Sequence, residues 1–146
     1  LHLSTSQIIL FHRFVHGGDL KNYLLQCACK GKKLRDSENL SIVLKIASAM
    51  AHLEKLGIVH RDLAARNVLV GTSIDIIKLA DFGLARCLDE TLYYKNNKSR
   101  VPYKWTAPEA FLIFSNEDKL IQSGRSTSAS DVWSFAVVMW ELYSRG

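Results

Sequence analysis

Residues 60–67 read His-Arg-Asp-Leu-Ala-Ala-Arg-Asn, and Asp81-Phe82-Gly83 begins fourteen residues after Asn67. Phosphoryl transfer asks for groups of this kind. The reaction leaves side chains little covalent work. It needs one carboxylate to orient an attacking hydroxyl and oxygen ligands to hold a divalent cation on the phosphates. Asp62 fits the first role, and Asn67 and Asp81 fit the second, because a hard cation takes oxygen donors. Each has a plainer reading in isolation: Asp62 as a loop aspartate bonding its own turn, and Asp81–Gly83 as a β-turn. The spacing of Asp62 and Asn67 favours the chemistry. Gly83 tolerates backbone angles that a Cβ would resist, which suits a segment that changes conformation.

The elements that must position these residues can be read around them. Ile58-Val59, Val68-Leu69-Val70 and Ile76-Ile77-Lys78-Leu79 are short, β-branched runs that flank the 60–67 loop and lead into Asp81. Leu40, Val43, Leu44, Ala47, Met50 and Leu53 recur at helical steps and predict an amphipathic helix, with Gly57 as its stop. Gln7–Phe14 is mostly apolar and reads as a buried strand, ended by Gly17-Gly18. Asp19 can cap a short helix through Leu20, Tyr23 and Leu24. Residues 26–39 and 115–130 are polar and read as loops, and 84–109 as one long connection. Asp131 is expected to cap the segment 132–140, which is apolar nearly all round and reads as a helix inside a domain.

Bulk properties fit one modest globular unit: 146 residues, 48% hydrophobic and 23% charged. No apolar run reaches the ~20 residues of a membrane-crossing helix, and no leader-like pattern opens the sequence. The net charge of +5 raises the question of nucleic acid or an anionic surface. The basic residues are spread out, with short clusters at Lys30, Lys32, Lys33, Arg35 and at Lys95, Lys98, Arg100, so no nucleic-acid partner is expected. Cys27, Cys29 and Cys87 have neither disulfide-like nor zinc-like spacing and read as reduced thiols.

Four blocks stand in one order along the chain: His60–Asn67, Asp81–Arg86, Pro102–Glu109 (Pro-Tyr-Lys-Trp-Thr-Ala-Pro-Glu) and Asp131–Glu141. Through them the sequence resembles the protein tyrosine kinase family over essentially its whole length. The resemblance implies an α+β, protein-kinase-like fold: a mostly helical C-terminal lobe with a small-lobe strand at its start and short strands around the catalytic loop. Residues 1–16 would close the small lobe and form the hinge, and 17–146 a truncated large lobe.

The resemblance also implies roles. Asp62 would accept the proton of a tyrosine hydroxyl attacking the γ-phosphate of ATP, Arg66 would help place that hydroxyl, and Asn67 and Asp81 would hold Mg2+ or Mn2+. Phe82 would set Asp81 in or out, with His60 packed beneath it. Arg61 would grip a phosphate on the loop after Asp81, where Tyr93 and Tyr94 are the candidate acceptors. Arg86, Lys95, Lys98 and Arg100 surround that pair with positive charge. Ala64 and Arg66 follow the tyrosine-kinase arrangement rather than the serine/threonine one. Pro102 and Trp105, as substrate-binding residues, agree, the Pro102 ring being expected to lie along the substrate's phenol as an apolar wall. Arg13–Val15 align with the hinge that bonds adenine, Leu69 with the floor of that site and Asp19 with a ribose contact. His12 at the gatekeeper position and Arg13 in place of an acid depart from the pattern, and so does the long spacing between Glu109 and Asp131.

The Gly-rich phosphate loop, the lysine strand and the glutamate-bearing helix of the family are not among these residues. The piece by itself is therefore expected to be inactive and to expose apolar helix faces, and Glu109 is expected to lack its usual arginine. The expected setting is cytoplasmic, with the intracellular part of a membrane receptor as one form of it. A pseudokinase scaffold and a serine/threonine kinase are the competing readings.

Overall fold

The computed structural model describes residues 15–87, 102–111 and 125–144, together with strand residues 94–95, 113–114 and 120–121. Gly17 and Gly18 run antiparallel to the strand β2 (Val68–Val70): the Gly17 amide donates to Val70 O at 3.0 Å, and the Val70 amide to Gly18 O at 2.8 Å. The chains approach so closely that a Cβ on Gly17 would lie 2.2 Å from Gly71 O, so only glycine fits. Asp19 continues the pairing as a bridge to Leu69 and then caps α1 (Leu20–Cys29), its carboxylate accepting from the Asn22 amide.

Helix α1 runs four residues into the stretch expected to be loop, and α2 (Asp36–Lys55) takes up its last four. Packing explains the first extension: Leu20, Leu24 and Cys27 fall at helical spacing on the buried side. A local bond explains the second, since Glu38 reaches back to accept from the Arg35 amide at 2.8 Å. The buried stripe of α2 matches the predicted one in part: Leu53 is buried and Val43 and Met50 pack against the core, but the other fully buried positions differ. The stripe is Asn39, Ile42, Ile46 and Leu53, while Leu40 and Leu44 are exposed. The helix carries aliphatic residues on two faces, and periodicity alone could not say which would meet the core. Gly57 stops the chain in the left-handed region (φ +66°), with its amide on Glu54 O.

The strands expected at 58–59, 68–70 and 76–79 form, and a further one, at 86–87, lies in the stretch read as one long connection. The strand β1 (Ile58–Val59) pairs antiparallel with β4 (Arg86–Cys87), and β2 with β3 (Ile77–Leu79). Further two-stranded pairs join β5 (Tyr94–Lys95) to β8 (Arg125–Ser126), and β6 (Ile113–Phe114) to β7 (Leu120–Ile121); α3 (Pro108–Phe111) precedes β6. Part of the segment predicted as a surface loop is thus strand.

The last helix, α4 (Ser128–Ser144), starts before the expected position, and Asp131 lies inside it. Its cap is Thr127, whose amide and Oγ1 exchange hydrogen bonds with the Oγ and amide of Ser130. Val138 and Leu142 enter the core with Leu20, Leu24, Leu34, Ile42, Ile46, Leu63, Ala65, Val68 and Val70. The reading of α4 as buried all round holds on one side only. Among the described residues, Val132, Trp133, Trp140 and Tyr143 are exposed, as the expectation of open apolar faces had it.

The register of α2 gives a direct check. Ile46→Ala should lower unfolding free energy by about 2–5 kcal/mol in urea titrations, as for a fully enclosed aliphatic, and Leu44→Ala by less than about 1 kcal/mol.

Candidate active site

The loop 60–67 hangs between β1 and β2, and residues 80–85 between β3 and β4, so the two small sheets bring the loops together. The Ala80 amide donates to Asn67 O at 2.9 Å, which carries the chain into Asp81 beside the end of the first loop.

Arg61 (φ 69°) and Asp81 (φ 57°) occupy the left-handed region that costs side-chain-bearing residues energy. At Arg61 the compensation is visible. The two oxygens of Asp131 accept from the amides of His60 (2.7 Å) and Arg61 (3.0 Å). Asp131 is 4% exposed, and burial raises its pKa above the usual 3.8, against the lowering effect of the two amide donors and of nearby His60 and Arg61.

His60 is fully enclosed and polar at both ring nitrogens. Its Nδ1 accepts from the Asp62 amide at 3.3 Å, so the proton sits on Nε2, which donates to Ala80 O at 3.2 Å. The ring also packs against Phe82, with centroids 5.0 Å apart. His60 thereby ties the loop to the segment around Asp81.

Both carboxylate oxygens of Asp62 are engaged. Arg66 donates to Oδ1, and Asn67 Nδ2 to Oδ2 at 2.8 Å and to the Asp62 carbonyl at 2.7 Å. The 3-10 turn Ala65–Asn67 sets this spacing. With Nδ2 turned to Asp62, Asn67 Oδ1 accepts no hydrogen bond from a described residue. Asp81 is exposed, and its Oδ1 accepts weakly from the Gly83 amide. Two oxygen-bearing groups left open beside each other's chain suit a hard cation that takes its remaining ligands from phosphate and water.

The segment 102–106 closes the other side. Pro102 O accepts from the Trp105 amide and from Thr106 Oγ1. Ser134 Oγ donates to Trp105 O at 2.6 Å. The Arg66 guanidinium lies over the Trp105 ring, 4.5 Å from its centroid. Buried Glu141 accepts on Oε2 from the Trp105 indole N–H and from the Ala65 amide, each at 2.9 Å.

An open cleft of about 930 Å³ is lined by Val15, Leu69 and residues 79–83 among others. Asp19 stands beside it through its bridge to Leu69. Arg61 points elsewhere, donating to Ser126 Oγ and Leu84 O and bordering a small recess with Thr106 and Ser130. Arg86 folds back on the carbonyls of Gly83 and Ala85. Glu109 is exposed with no ion pair among the described residues. The cysteines are free, Cys27 buried and Cys29 and Cys87 exposed. His12, Arg13, Tyr93, Lys98 and Arg100 lie outside the described residues, as do the side chains of Tyr94 and Lys95.

The sequence therefore named Asp62, Arg66, Asn67, Asp81, Phe82, Pro102 and Trp105 as site residues, and each lies at these loops. It missed Asp131 as a ligand of the loop, and also Ser134 and Glu141. A signal existed: the three polar residues recur at three- and seven-residue steps along an apolar helix, which places them on one face.

A family model described as "Protein tyrosine and serine/threonine kinase" matches residues 1–146. The chain is also 40% identical over 138 residues to "Discoidin domain-containing receptor tyrosine kinase B" of Caenorhabditis elegans. That match takes in 94% of the chain and 15% of the relative's length.

Asp131 supplies a prediction with a defined sign. A carboxyl whose pKa is raised by folding holds its proton more tightly in the fold. Its contribution to stability is therefore greatest in acid, and falls as pH rises past 3.8 until the folded form has ionised. The melting-temperature difference between wild type and Asp131→Asn, followed from acid to neutral pH, should shift in that sense as wild type loses this contribution.

Proposed function

The chain belongs to the protein tyrosine and serine/threonine kinase family, and we propose that its site transfers the γ-phosphate of ATP to tyrosine hydroxyls of protein substrates. The observation that carries the reading is the arrangement around Asp62: a carboxylate held by Arg66 and Asn67, with Arg66 stacked on Trp105. Each carboxylate oxygen has about two acceptor positions. One on each is used, so Asp62 can still receive a substrate hydroxyl and take its proton as the bond to phosphorus forms. Arg66 fixes the carboxylate's rotamer and offers further donors toward the incoming oxygen. Trp105 and Pro102 border the same space with apolar surface, which a phenol can reach and a serine hydroxymethyl cannot fill.

Asn67 and Asp81 would hold Mg2+ or Mn2+, which supplies charge neutralisation on the phosphates when bound. The cleft at Val15 and Leu69 would take the adenine, with Arg13 and Val15 offering backbone groups and Asp19 placed toward the ribose. Arg61, near the chain that follows Leu84, would bind a phosphate on Tyr93 or Tyr94 and so link phosphorylation to the state of the loop. The relative's name as a receptor tyrosine kinase supports a receptor-type setting, with this part cytoplasmic.

Three outcomes check the reading. With Mg-ATP, the full-length protein should label a tyrosine peptide, and phosphoamino-acid analysis should return phosphotyrosine; phosphoserine or phosphothreonine alone would overturn it. Asp62→Asn should lower kcat by about 10²–10⁴-fold while ATP still binds. The 146-residue polypeptide by itself should show no transfer in a radiolabelled-ATP assay, because the lysine and Gly-rich loop that cradle the phosphates in the family are not in it.

A further inference from the structure

Glu141 is a buried acid that the chemistry above does not use. It is 6% exposed, two helical turns beyond Ser134 on the same face of α4. One oxygen, Oε2, receives two hydrogen bonds from different parts of the chain. The first is the Ala65 amide, in the turn that spaces Asp62 from Asn67; the second is the indole N–H of Trp105, in the segment 102–106. Arg66 is covalently next to the first donor and stacked on the ring that carries the second. The carboxylate thus constrains Arg66 at its backbone and at its guanidinium. Arg66 in turn holds Asp62.

We infer that Glu141 is a positioning residue that keeps the acceptor-facing segment in register with the catalytic carboxylate, through Ala65 and the Trp105–Arg66 stack. The inference rests on the proposed tyrosine-transfer reading and deepens it. Two loops far apart in sequence are pinned to one atom, so their relative position cannot drift without breaking a hydrogen bond to an anion, which is among the stronger kinds. Ser134, bonded to Trp105 O at 2.6 Å, fixes the same segment from its backbone side. Neither the cleft at Val15 and Leu69 nor Asp81 touches this network, so its effect should fall on the acceptor and not on the nucleotide.

The test is steady-state kinetics of the full-length protein with a tyrosine peptide and with ATP varied separately. Glu141→Ala should lower kcat/KM for the peptide by about 10–100-fold, the scale of a misplaced reacting group, with KM for ATP within about twofold. Glu141→Gln can put an amide oxygen where Oε2 stands, and should recover most of that loss. Trp105→Phe keeps a ring under Arg66 and removes only the indole N–H; it should reproduce part of the loss, again for the peptide alone. If Glu141→Ala fails to fold, Trp105→Phe and Glu141→Gln decide the matter by the same split. Unchanged peptide kinetics in Trp105→Phe, or losses shared equally by ATP and peptide, would overturn the inference. A wild-type protein with no phosphotyrosine product would instead overturn the transfer reading on which it rests.

Discussion

Asp131 accepts two consecutive backbone amides, His60 and Arg61, at a point where Arg61 must hold a left-handed conformation. The backbone turn and the carboxylate depend on each other. Without the turn the two amides would not point the same way. Without the acceptor they would be polar groups stranded in an enclosed place, each at a penalty of about 1–3 kcal/mol. Everything chemical follows from where this turn leaves the chain. It sends the Asp62 amide onto His60 Nδ1, sets the proton on Nε2, and thereby attaches the loop to Ala80, one residue before Asp81. A single acid on α4 thus fixes the position of the loop that carries Asp62 and Asn67 relative to the segment that carries Asp81.

The same helix face repeats the device. Asp131, Ser134 and Glu141 hold the 60–67 loop, the 102–106 segment and the Ala65 turn, while Val138 and Leu142 beside them enter the core. Burying acids is unfavourable unless their oxygens find donors, and the raised pKa of Asp131 is the mark of that opposition. The loops supply the donors. In this arrangement the core helix and the site loops order one another: the loops satisfy the helix's polar face, and that face gives the loops one geometry. Asp62, Arg66 and Asn67 then need only short-range bonds among themselves to be aligned.

Local chemistry made much of this legible in the sequence. Asp62, Asn67 and Asp81 are recognisable because spacing within one loop is set by the loop itself, and the strands around them because β-branched runs are short and isolated. Asp19 and Gly57 carry their own capping signals. What failed was long-range. On α2 the helical period places Val43, Met50 and Leu53 toward the core, but Leu40 and Leu44 match it as well as Ile42 and Ile46 do, and only the core decides between them. In sequence Asp131 reads as a helix cap, since an acid at the start of an apolar helix usually is one. Its true partners lie 70 and 71 residues away, beyond any local pattern. The spacing of Glu141 from Asp131 and Ser134 marks the face it shares with them, but its partner Ala65 is as distant and leaves no local pattern.

Amide hydrogen exchange on the full-length protein tests most directly whether the buried face of α4 holds the site loops. The amides of His60, Arg61 and Ala65 donate to Asp131 and Glu141. They should exchange as slowly as the core amides of Val138 and Leu142, because each can open only when the helix and loops part. Exchange of the three at the rate of an exposed loop, with α4 still protected, would contradict the account.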